Sequence, residues 1–229
     1  MPHVKFIAPN GEHWPSVTEV LRVSDQPWKW RWYGSEVKKH GYRGWQKCDA
    51  MGKRGMSFGT DFHTRLYDLL NFKFFAVPIP SPMVWVSAPR FRDKVSECVQ
   101  VVYDYVIDSG VKVIALEQHL VNEKDRYHGS FDAVVESPEG LIEVWDWKTN
   151  NQEDPYHAVQ LSAYAAAFGI KGAVCDRGRV IQVDKKAKTP KVKAHVFTDL
   201  HFYYDLFLAL RDNWDFAHSA GRWQRGDDE

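Results

Sequence analysis

Hydrophobic residues recur at helical spacing in two stretches of the first half of the chain. The first stripe predicts a helix and consists of Phe62, Leu66, Leu69 and Leu70. The second predicts a helix that stops at Gly110, and its members are Phe91, Val95, Val99, Val102 and Val106. The proline-rich stretch 77–89 lies between them and predicts an irregular connector.

The N-terminal quarter gives one clear signal and one diffuse one. The sequence Ser16-Val17-Thr18-Glu19 is a capping box, which predicts a short helix carrying Val20 and Leu21. Residues 26–54 mix aromatic, basic and glycine residues without a clear period, so we predict that this is the least regular part of the chain. Four glycines in or directly after this stretch predict loops that order on binding, namely Gly41, Gly44, Gly52 and Gly55.

After Gly110 the pattern changes to that of β-strands. Three strands are predicted, at 111–121, 127–137 and 141–149. A helix is predicted from Pro155 to near Gly169, followed by a hairpin of Val174 and 180–183 that turns at Arg177-Gly178. Asp199 predicts the cap of a last helix through Leu206, Leu210 and Trp214. This order predicts an α/β fold with a central mixed sheet flanked by helices.

The turn between the second and third predicted strands sets the register of a hairpin. Pro138 suits a type I turn, and Gly140 suits the positive φ of a three-residue loop. Ser137 is then expected to pair with Leu141. Counting back along both strands from this pair gives the register of the whole hairpin.

In that register, three charged side chains lie on one face of the hairpin. Asp132 is opposite Asp146, and alternation places Lys148 on the same side. Charges that end a core-facing row are costly to desolvate unless something binds them. Two carboxylates suit Mg²⁺, which prefers oxygen ligands, so the pattern predicts a metal site next to a phosphate. A surface salt-bridge cluster is the alternative.

Composition limits the class of protein. A chain of 229 residues with 44% hydrophobic content predicts a single domain over 1–229, with an aromatic and basic N-terminal elaboration at 1–56 and the core at 57–229. Lys+Arg equals Asp+Glu, so a local patch must carry any claim of nucleic-acid binding. Three scattered cysteines indicate a reducing compartment. No membrane-length apolar run or signal peptide is present, so we expect a cytoplasmic protein.

The aromatic and basic stretch suits single-stranded nucleic acid, because bases stack on aromatic faces while cations follow the backbone. The alternative is that the tryptophans form a small core of their own. The candidate nucleic-acid-binding residues are Trp28, Trp30, Lys38, Lys39, Arg43, Lys53 and Arg54.

Four motifs together resemble one known family. They are Gly59-Thr60-Asp61-Phe62-His63, Gly129-Ser130-Phe131-Asp132, Asp146-Trp147-Lys148 and Gln160-Leu161-Ser162-Ala163-Tyr164. In this order, and on the predicted helix, strands and helix, they resemble the RecB-like branch of the PD-(D/E)xK nucleases. The resemblance extends from about Gly59 to Tyr164, close to half of the chain, and implies a restriction-endonuclease-like core.

The resemblance implies roles for these residues. One or two Mg²⁺ or Mn²⁺ ions are expected, with His63, Glu117, Asp132, Asp146 and the main-chain carbonyl of Trp147 as candidate ligands. Lys148 is expected to orient the attacking water or stabilise the transition state. Asp132 and Asp146 count among the catalytic residues with it. Some relatives hold an iron–sulfur cluster on four cysteines, but this chain has too few for one.

Alternative roles stay open for several of these residues. His63 could be a boundary residue of its helix, and Glu117 a solvated position that alternation places on one face with Ala115 and His119. Gln160 and Tyr164 are four residues apart and so share a helix face, where they could hold Lys148 or a substrate phosphate. Core packing is the alternative for Tyr164.

The implied activity is that of a metal-dependent DNA exonuclease acting on a single-stranded end. The resemblance connects it with replication, recombination or bacteriophage DNA processing in a bacterial or phage-infected cell. Helicase, single-strand-binding or recombinase proteins are the candidate partners. Two other classes stay open, namely a structure-specific endonuclease or junction resolvase on the same fold, and a non-catalytic nucleic-acid-binding module.

Overall fold

A computed structural model describes residues 6–9, 11–24, 27–81, 84–150, 154–169 and 174–223 of the chain, with the side chains of 27–30 and 220–223 outside this description. Six α-helices are described: α1 (Val17–Leu21), α2 (Pro27–His40), α3 (Tyr42–Phe75), α4 (Arg92–Asp108), α5 (Tyr156–Gly169) and α6 (Leu200–Trp223). A short 3₁₀ turn at Pro89–Phe91 precedes α4. Among the described residues, no helix is long and apolar enough to cross a membrane.

Within the described parts of the chain, seven strands form two sheets. The strands are β1 (Lys112–Leu116), β2 (His119–Asn122), β3 (Tyr127–Ser130), β4 (Ala133–Glu136), β5 (Ile142–Lys148), β6 (Arg177–Val183) and β7 (Val192–Phe197). The main sheet has the order β1-β4-β5-β6-β7, in which only β5 and β6 are parallel. Strands β2 and β3 form a separate antiparallel pair. The mixed sheet flanked by helices confirms the predicted fold class.

The main sheet has an apolar core on each face. On one face Val134 and Val144 pack with residues of α1, α5 and α6. On the other, Val135 and Trp145 pack with residues of α3 and α4. Side chains alternate along β4 and β5, so neighbouring residues contribute to opposite cores. The central strand β5 is therefore buried over almost its whole length.

The predicted hairpin register is confirmed. The Ser137 N–H donates to the Leu141 carbonyl at 2.8 Å, and Gly140 has φ of 80°. Ala133 pairs with Trp145, which leaves the preceding Asp132 at the level of Asp146. The capping box at Ser16, the helix that ends before Gly110, the helix after Pro155 and the cap at Asp199 are also present, as predicted.

Two predicted strands are wrong because each is broken between two sheets. The stretch 111–121 divides into β1 and β2 at Glu117, which has φ of 46°. The stretch 127–137 divides into β3 and β4 next to the buried Phe131. The Glu117 N–H donates to the Asp132 carbonyl at 2.9 Å. This hydrogen bond links the two points at which the predicted strands are interrupted. Alternation therefore does not hold through Glu117, and the predicted shared face of Ala115, Glu117 and His119 is wrong.

The prediction that residues 26–54 are irregular is also wrong. This stretch forms α2 and the first part of α3, a helix of 34 residues. Gly44 lies inside α3, where a Cβ would come 2.1 Å from the Glu36 carbonyl oxygen, so the glycine permits close contact with α2. Gly52 and Gly55 are also helical, and α3 continues without a break through residues 56 and 57.

The predicted turn at Arg177-Gly178 is wrong because β6 runs straight through it. A Cβ on Gly178 would lie 3.0 Å from the Leu161 side chain, so this glycine permits α5 to pack closely on the sheet. The reversal comes later, between β6 and β7 at residues 184–191. Residues 77–81 and 84–88 contain no helix or strand, as predicted for the connector.

Candidate active site

Three potential ligand side chains converge where β1 ends and β4 begins. The His63 Nδ1 atom is 3.1 Å from Asp132 Oδ1 and 3.7 Å from Glu117 Oε1. One ligand atom from each of the three residues lies within 4.8 Å of the others. The three come from distant parts of the chain, so the fold creates the cluster.

Local structure explains how each member reaches the cluster. His63 follows the buried Phe62 on α3, which places its ring at the edge of the apolar core. Glu117 reaches the cluster because its positive φ turns the chain out of β1. Asp132 is held from two sides, since its second oxygen accepts the Trp147 N–H at 2.6 Å.

A chain of polar contacts leads from the cluster to α5. The Lys148 ammonium is 2.5 Å from Asp146 Oδ2 and donates to Gln160 Oε1 at 3.1 Å. The Gln160 amide donates to the Tyr164 hydroxyl at 3.0 Å. The structure therefore brings Lys148, at the end of β5, into contact with Gln160 on α5, and Gln160 contacts Tyr164 on the same helix face.

Gly129, in the same motif as Asp132, makes room for this chain of contacts. A Cβ at residue 129 would lie 2.7 Å from the Tyr164 ring and 3.1 Å from the Val17 side chain. Sequence reasoning did not assign this steric role, although the glycine in Gly129-Ser130-Phe131-Asp132 was a signal for it.

Charges in the site shift one another's protonation. Burial would lower the pKa of His63, but the Asp132 and Glu117 carboxylates outweigh it and raise the pKa to about 10. Burial would raise the pKa of Asp132, yet His63 and Lys148 lower it. For Asp146 burial prevails over the attraction of Lys148, and its pKa is raised. The pKa of Lys148 is also raised, since Asp146 and Asp132 outweigh its burial.

The donor set fits a divalent cation. It offers one imidazole nitrogen and several carboxylate oxygens, which suit Mg²⁺ or Mn²⁺. Burial raises the pKa of Glu117, and the nearby Asp132 and Asp146 carboxylates add to this, while His63 acts in the opposite sense. The compact cluster contains His63, Glu117 and Asp132, whereas Asp146 is engaged by Lys148. The ligand roles of His63, Glu117, Asp132, Asp146 and the Trp147 carbonyl all stay predictions.

The predicted nucleic-acid-binding residues lie on α2 and α3. Five of them are exposed: Lys38, Lys39, Arg43, Lys53 and Arg54. Lys39 approaches Glu36 at 3.7 Å and Lys53 pairs with Asp49 at 2.9 Å, while Arg54 Nε donates to the Ala50 carbonyl. The backbone of Trp28 and Trp30 belongs to α2, but their side chains lie outside the described residues. Their role stays a prediction.

Sequence reasoning also missed polar residues beside Lys148. Gln182 is the partner of Lys148 on the parallel strand β6, and its amide donates to Asn150 Oδ1 at 2.7 Å. His195 on β7 is 3.3 Å from the Gln182 side-chain oxygen. These residues were missed because a turn was predicted at Arg177-Gly178, so no strand was expected to pair with Lys148.

Comparison with known proteins identifies the class to which this fold and site belong. A sequence profile of the PD-(D/E)XK nuclease superfamily matches residues 16–215. The chain is therefore a member of the PD-(D/E)XK nuclease superfamily, whose members use divalent metals. No curated protein matches the sequence.

Several solved structures resemble the chain at low identity. A candidate exonuclease from Eubacterium rectale has 11% identity and a TM-score of 0.48, covering 88% of this chain and 82% of that one. An alkaline exonuclease from Laribacter hongkongensis has 12% identity and a TM-score of 0.36, with coverages of 71% and 93%. A phage-related exonuclease from Haemophilus somnus has 12% identity and a TM-score of 0.35, with coverages of 69% and 82%.

Proposed function

We propose that this nuclease is a divalent-cation-dependent exonuclease that hydrolyses DNA phosphodiester bonds from a single-stranded end. One observation carries the chemical part of the proposal. The cluster of His63, Glu117 and Asp132 lies beside Asp146 and Lys148, because the register of the β4–β5 hairpin brings Asp132 to the level of Asp146. Such a set can hold a cation and present a fixed ammonium to a phosphate.

The proposed ligands of the cation are His63, Glu117 and Asp132, together with Asp146 and the main-chain carbonyl of Trp147. Their support is the compactness of the cluster and the excess of carboxylates over cations within it. When bound, Mg²⁺ or Mn²⁺ supplies positive charge that offsets the charge developing on the phosphate.

Lys148 is the proposed catalytic cation of the protein itself. Its ammonium is held between Asp146 and Gln160, and Tyr164 fixes the Gln160 amide in turn. A preorganised ammonium stabilises developing negative charge without reorganising during the reaction. Its raised pKa keeps it protonated at neutral pH, which favours an electrostatic role over that of a general base.

The exposed arm formed by α2 and the first part of α3 is the proposed contact for the single strand. Lys38, Arg43 and Arg54 are exposed there, as are the aromatic rings of Tyr42 and Trp45. Exposed rings offer stacking surface, and each stacked base contributes roughly 1–3 kcal/mol. A role in replication, recombination or phage DNA processing, with a helicase, single-strand-binding or recombinase partner, is consistent with this activity.

A cleavage time course tests the proposal. Linear single-stranded DNA labelled at the 5′ or the 3′ end is incubated with Mg²⁺, with Mn²⁺ or with EDTA, next to a circular single strand. We expect cation-dependent loss of the linear strands with the circle spared, and the label lost first gives the direction. Cutting of the circle would favour an endonuclease, while binding without cleavage would favour a non-catalytic module.

A further inference from the structure

We propose that the turn between β6 and β7 is a second phosphate-binding surface, which holds the backbone of the DNA whose scissile bond lies at the carboxylate site. This lysine turn comprises residues 184–191 together with Val192 and Lys193, the first two residues of β7. The inference rests on the proposed function in that it takes DNA as the ligand. Unlike the proposed function, the inference does not require the protein to cleave DNA, so DNA-binding measurements alone can test it.

The lysine turn concentrates positive charge in a chain that has none in excess. It contains five lysines and one aspartate, whereas the whole chain has equal numbers of basic and acidic residues. Lys186, Lys188 and Lys191 are exposed, and none of these three forms an ion pair with another described residue. A run of unneutralised lysines is the electrostatic feature that attracts a polyanion.

Backbone contacts hold the lysine turn in a defined shape. The Lys186 N–H donates to Asp184 Oδ1 at 2.8 Å, and the Ala187 N–H donates to the Asp184 carbonyl at 3.2 Å. Lys94 on α4 donates to the Lys188 carbonyl at 3.2 Å, and Pro190 is buried. The lysine side chains therefore project from a fixed backbone, which reduces the ordering needed when a ligand binds.

Strand topology places the lysine turn at the catalytic end of the sheet. Strands β5 and β6 are parallel, and Lys148 pairs with Gln182. Strand β6 ends one residue later at Val183, so both strands reach the same edge. At about 3.3 Å per residue, the turn begins roughly 7 Å beyond the level of Lys148.

The lysine turn also touches the helix that carries His63. The Lys185 ammonium lies 5.1 Å above the centre of the Phe58 ring, and a Cβ on Gly55 would be 3.7 Å from it. Phe58 precedes His63 by five residues, about 7.5 Å along the helix axis. Arg54, the residue before Gly55 on α3, is exposed.

A phosphate chain bound to the lysine turn would reduce the repulsion between its lysines. Burial and the neighbouring Lys186 lower the pKa of Lys185, although Cys98 and Asp184 act in the opposite sense. Phosphates close to these side chains would relieve the repulsion and release condensed counterions from the DNA. Such contacts read the backbone and not the bases, as a nuclease without sequence preference requires.

Salt-dependent binding tests the inference. We compare the wild type with the triple variant Lys186→Gln, Lys188→Gln, Lys191→Gln, using fluorescently labelled single-stranded and duplex DNA in EDTA to prevent cleavage. The matched control, Lys73→Gln, Lys112→Gln, Lys124→Gln, removes the same charge from exposed positions. These lie at the end of α3, the start of β1 and the turn between β2 and β3, away from the site.

Three lost phosphate contacts should reduce the slope of log affinity against log salt by about 2 on a single strand, at about 0.7 per contact, and by about 3 on a duplex, at about 0.9 per contact. Affinity at about 0.1 M salt should then fall roughly a hundredfold. The control variant should change the slope by less than the amount expected for the loss of one phosphate contact. The probe with the larger loss identifies the form of DNA that lies on the turn.

Equal effects of the triple variant and the control would overturn the inference, as would an unchanged slope in the triple variant. Thermal unfolding of each variant checks that the fold is intact. Single lysine substitutions, each with about a third of the slope change, replace the triple variant if it unfolds. If the salt slope differs between the wild type and the triple variant but the wild type cleaves no DNA, the proposed function is refuted. The lysine turn then remains a DNA-binding surface.

Discussion

Strand β5 carries two buried carboxylates, three residues apart, in opposite situations. Glu143 is fully buried and accepts hydrogen bonds from Arg177 Nε at 2.6 Å, Arg179 Nε at 2.8 Å and the Trp145 indole at 2.8 Å. Asp146 is 4% exposed and forms an ion pair with Lys148. The same strand thus holds one carboxylate with three hydrogen-bond donors, two of them arginines, and another whose ion pair is with a single lysine.

The difference shows how burial serves two purposes. At Glu143 burial would raise the pKa, but the arginines and the indole prevail and lower it. At Asp146 burial prevails and the pKa is raised. Around Asp146, three carboxylates share His63 and Lys148 as their cations. A carboxylate with enough donors stabilises the fold, whereas one without them is available to a cation.

The largest effect is expected from Asp146→Asn. Removing this charge should reduce the rate of DNA cleavage at least about 10²-fold, the range found for loss of one electrostatic catalytic group. Stability should fall less than for a change at Glu143, because burial already raises the pKa of the Asp146 carboxyl, although Lys148 loses its ion-pair partner. Initial rates on a labelled strand with Mg²⁺, next to a thermal melt, measure both. Cleavage that survives the change would refute the site assignment.

The complementary change, Glu143→Gln, should affect stability instead of activity. It leaves Arg177 and Arg179 beside an uncharged group, and breaking a buried ion pair typically costs about 3–5 kcal/mol of unfolding free energy. Urea denaturation measures the loss. Cleavage per folded molecule should equal that of the wild type, and a selective loss of rate would contradict the contrast between the two carboxylates.

A smaller effect is expected from Gly129→Ala. The added methyl group would meet the Tyr164 ring and Val17, and overpacking of this kind costs about 1–3 kcal/mol. Displacement of Tyr164 should also slow cleavage through Gln160. Gly52→Ala is the control, because a Cβ there has open space and lies in a helix, so it should be neutral or slightly stabilising. Equal melting temperatures for the two variants would exclude the close contact.

The pH dependence of stability should distinguish the metal-free and metal-bound forms. Protonated His63 has a pKa of about 10 in the fold against an ordinary value of 6.5, so its stabilisation is complete below pH 6.5 and is lost as pH rises towards 10. A cation competes with that proton, so the increase in Tm caused by Mn²⁺ should grow with pH. Melts across this range test it, and His63→Gln should flatten the trend. A Mn²⁺ effect independent of pH would contradict it.

How much of the fold was predictable depended on where the determining contacts lie. The register of β4 and β5 follows from Pro138 and Gly140, whose backbone preferences act within the turn itself. The break at Glu117 depends on a hydrogen bond to Asp132, so nothing in the residues around 117 could reveal it. The exposed first part of α3 lacks a continuous apolar stripe, and its helix was missed for that reason.

The candidate site divides in the same way. Spacing alone predicted that Asp132, Asp146 and Lys148 share a face, and that Gln160 and Tyr164 share another. The approach of His63 and Glu117 to Asp132 came from the family resemblance, because it depends on tertiary packing. The lysines of the turn at 184–193 were visible in the sequence, but their place at the catalytic end depends on the parallel pairing of β6 with β5.

Because α3 is continuous, the distances along it from the exposed arm to the ligand cluster are fixed. Arg54 and Tyr42 precede His63 on one uninterrupted helix by nine and twenty-one residues. At about 1.5 Å per residue these separations are roughly 14 Å and 32 Å. A strand lying along the helix with B-form spacing of about 3.4 Å would place roughly four nucleotides between Arg54 and the ligand cluster, and roughly nine between Tyr42 and the cluster. If DNA follows the arm as proposed, the length of the helix sets the shortest DNA that can contact the arm and the scissile position together.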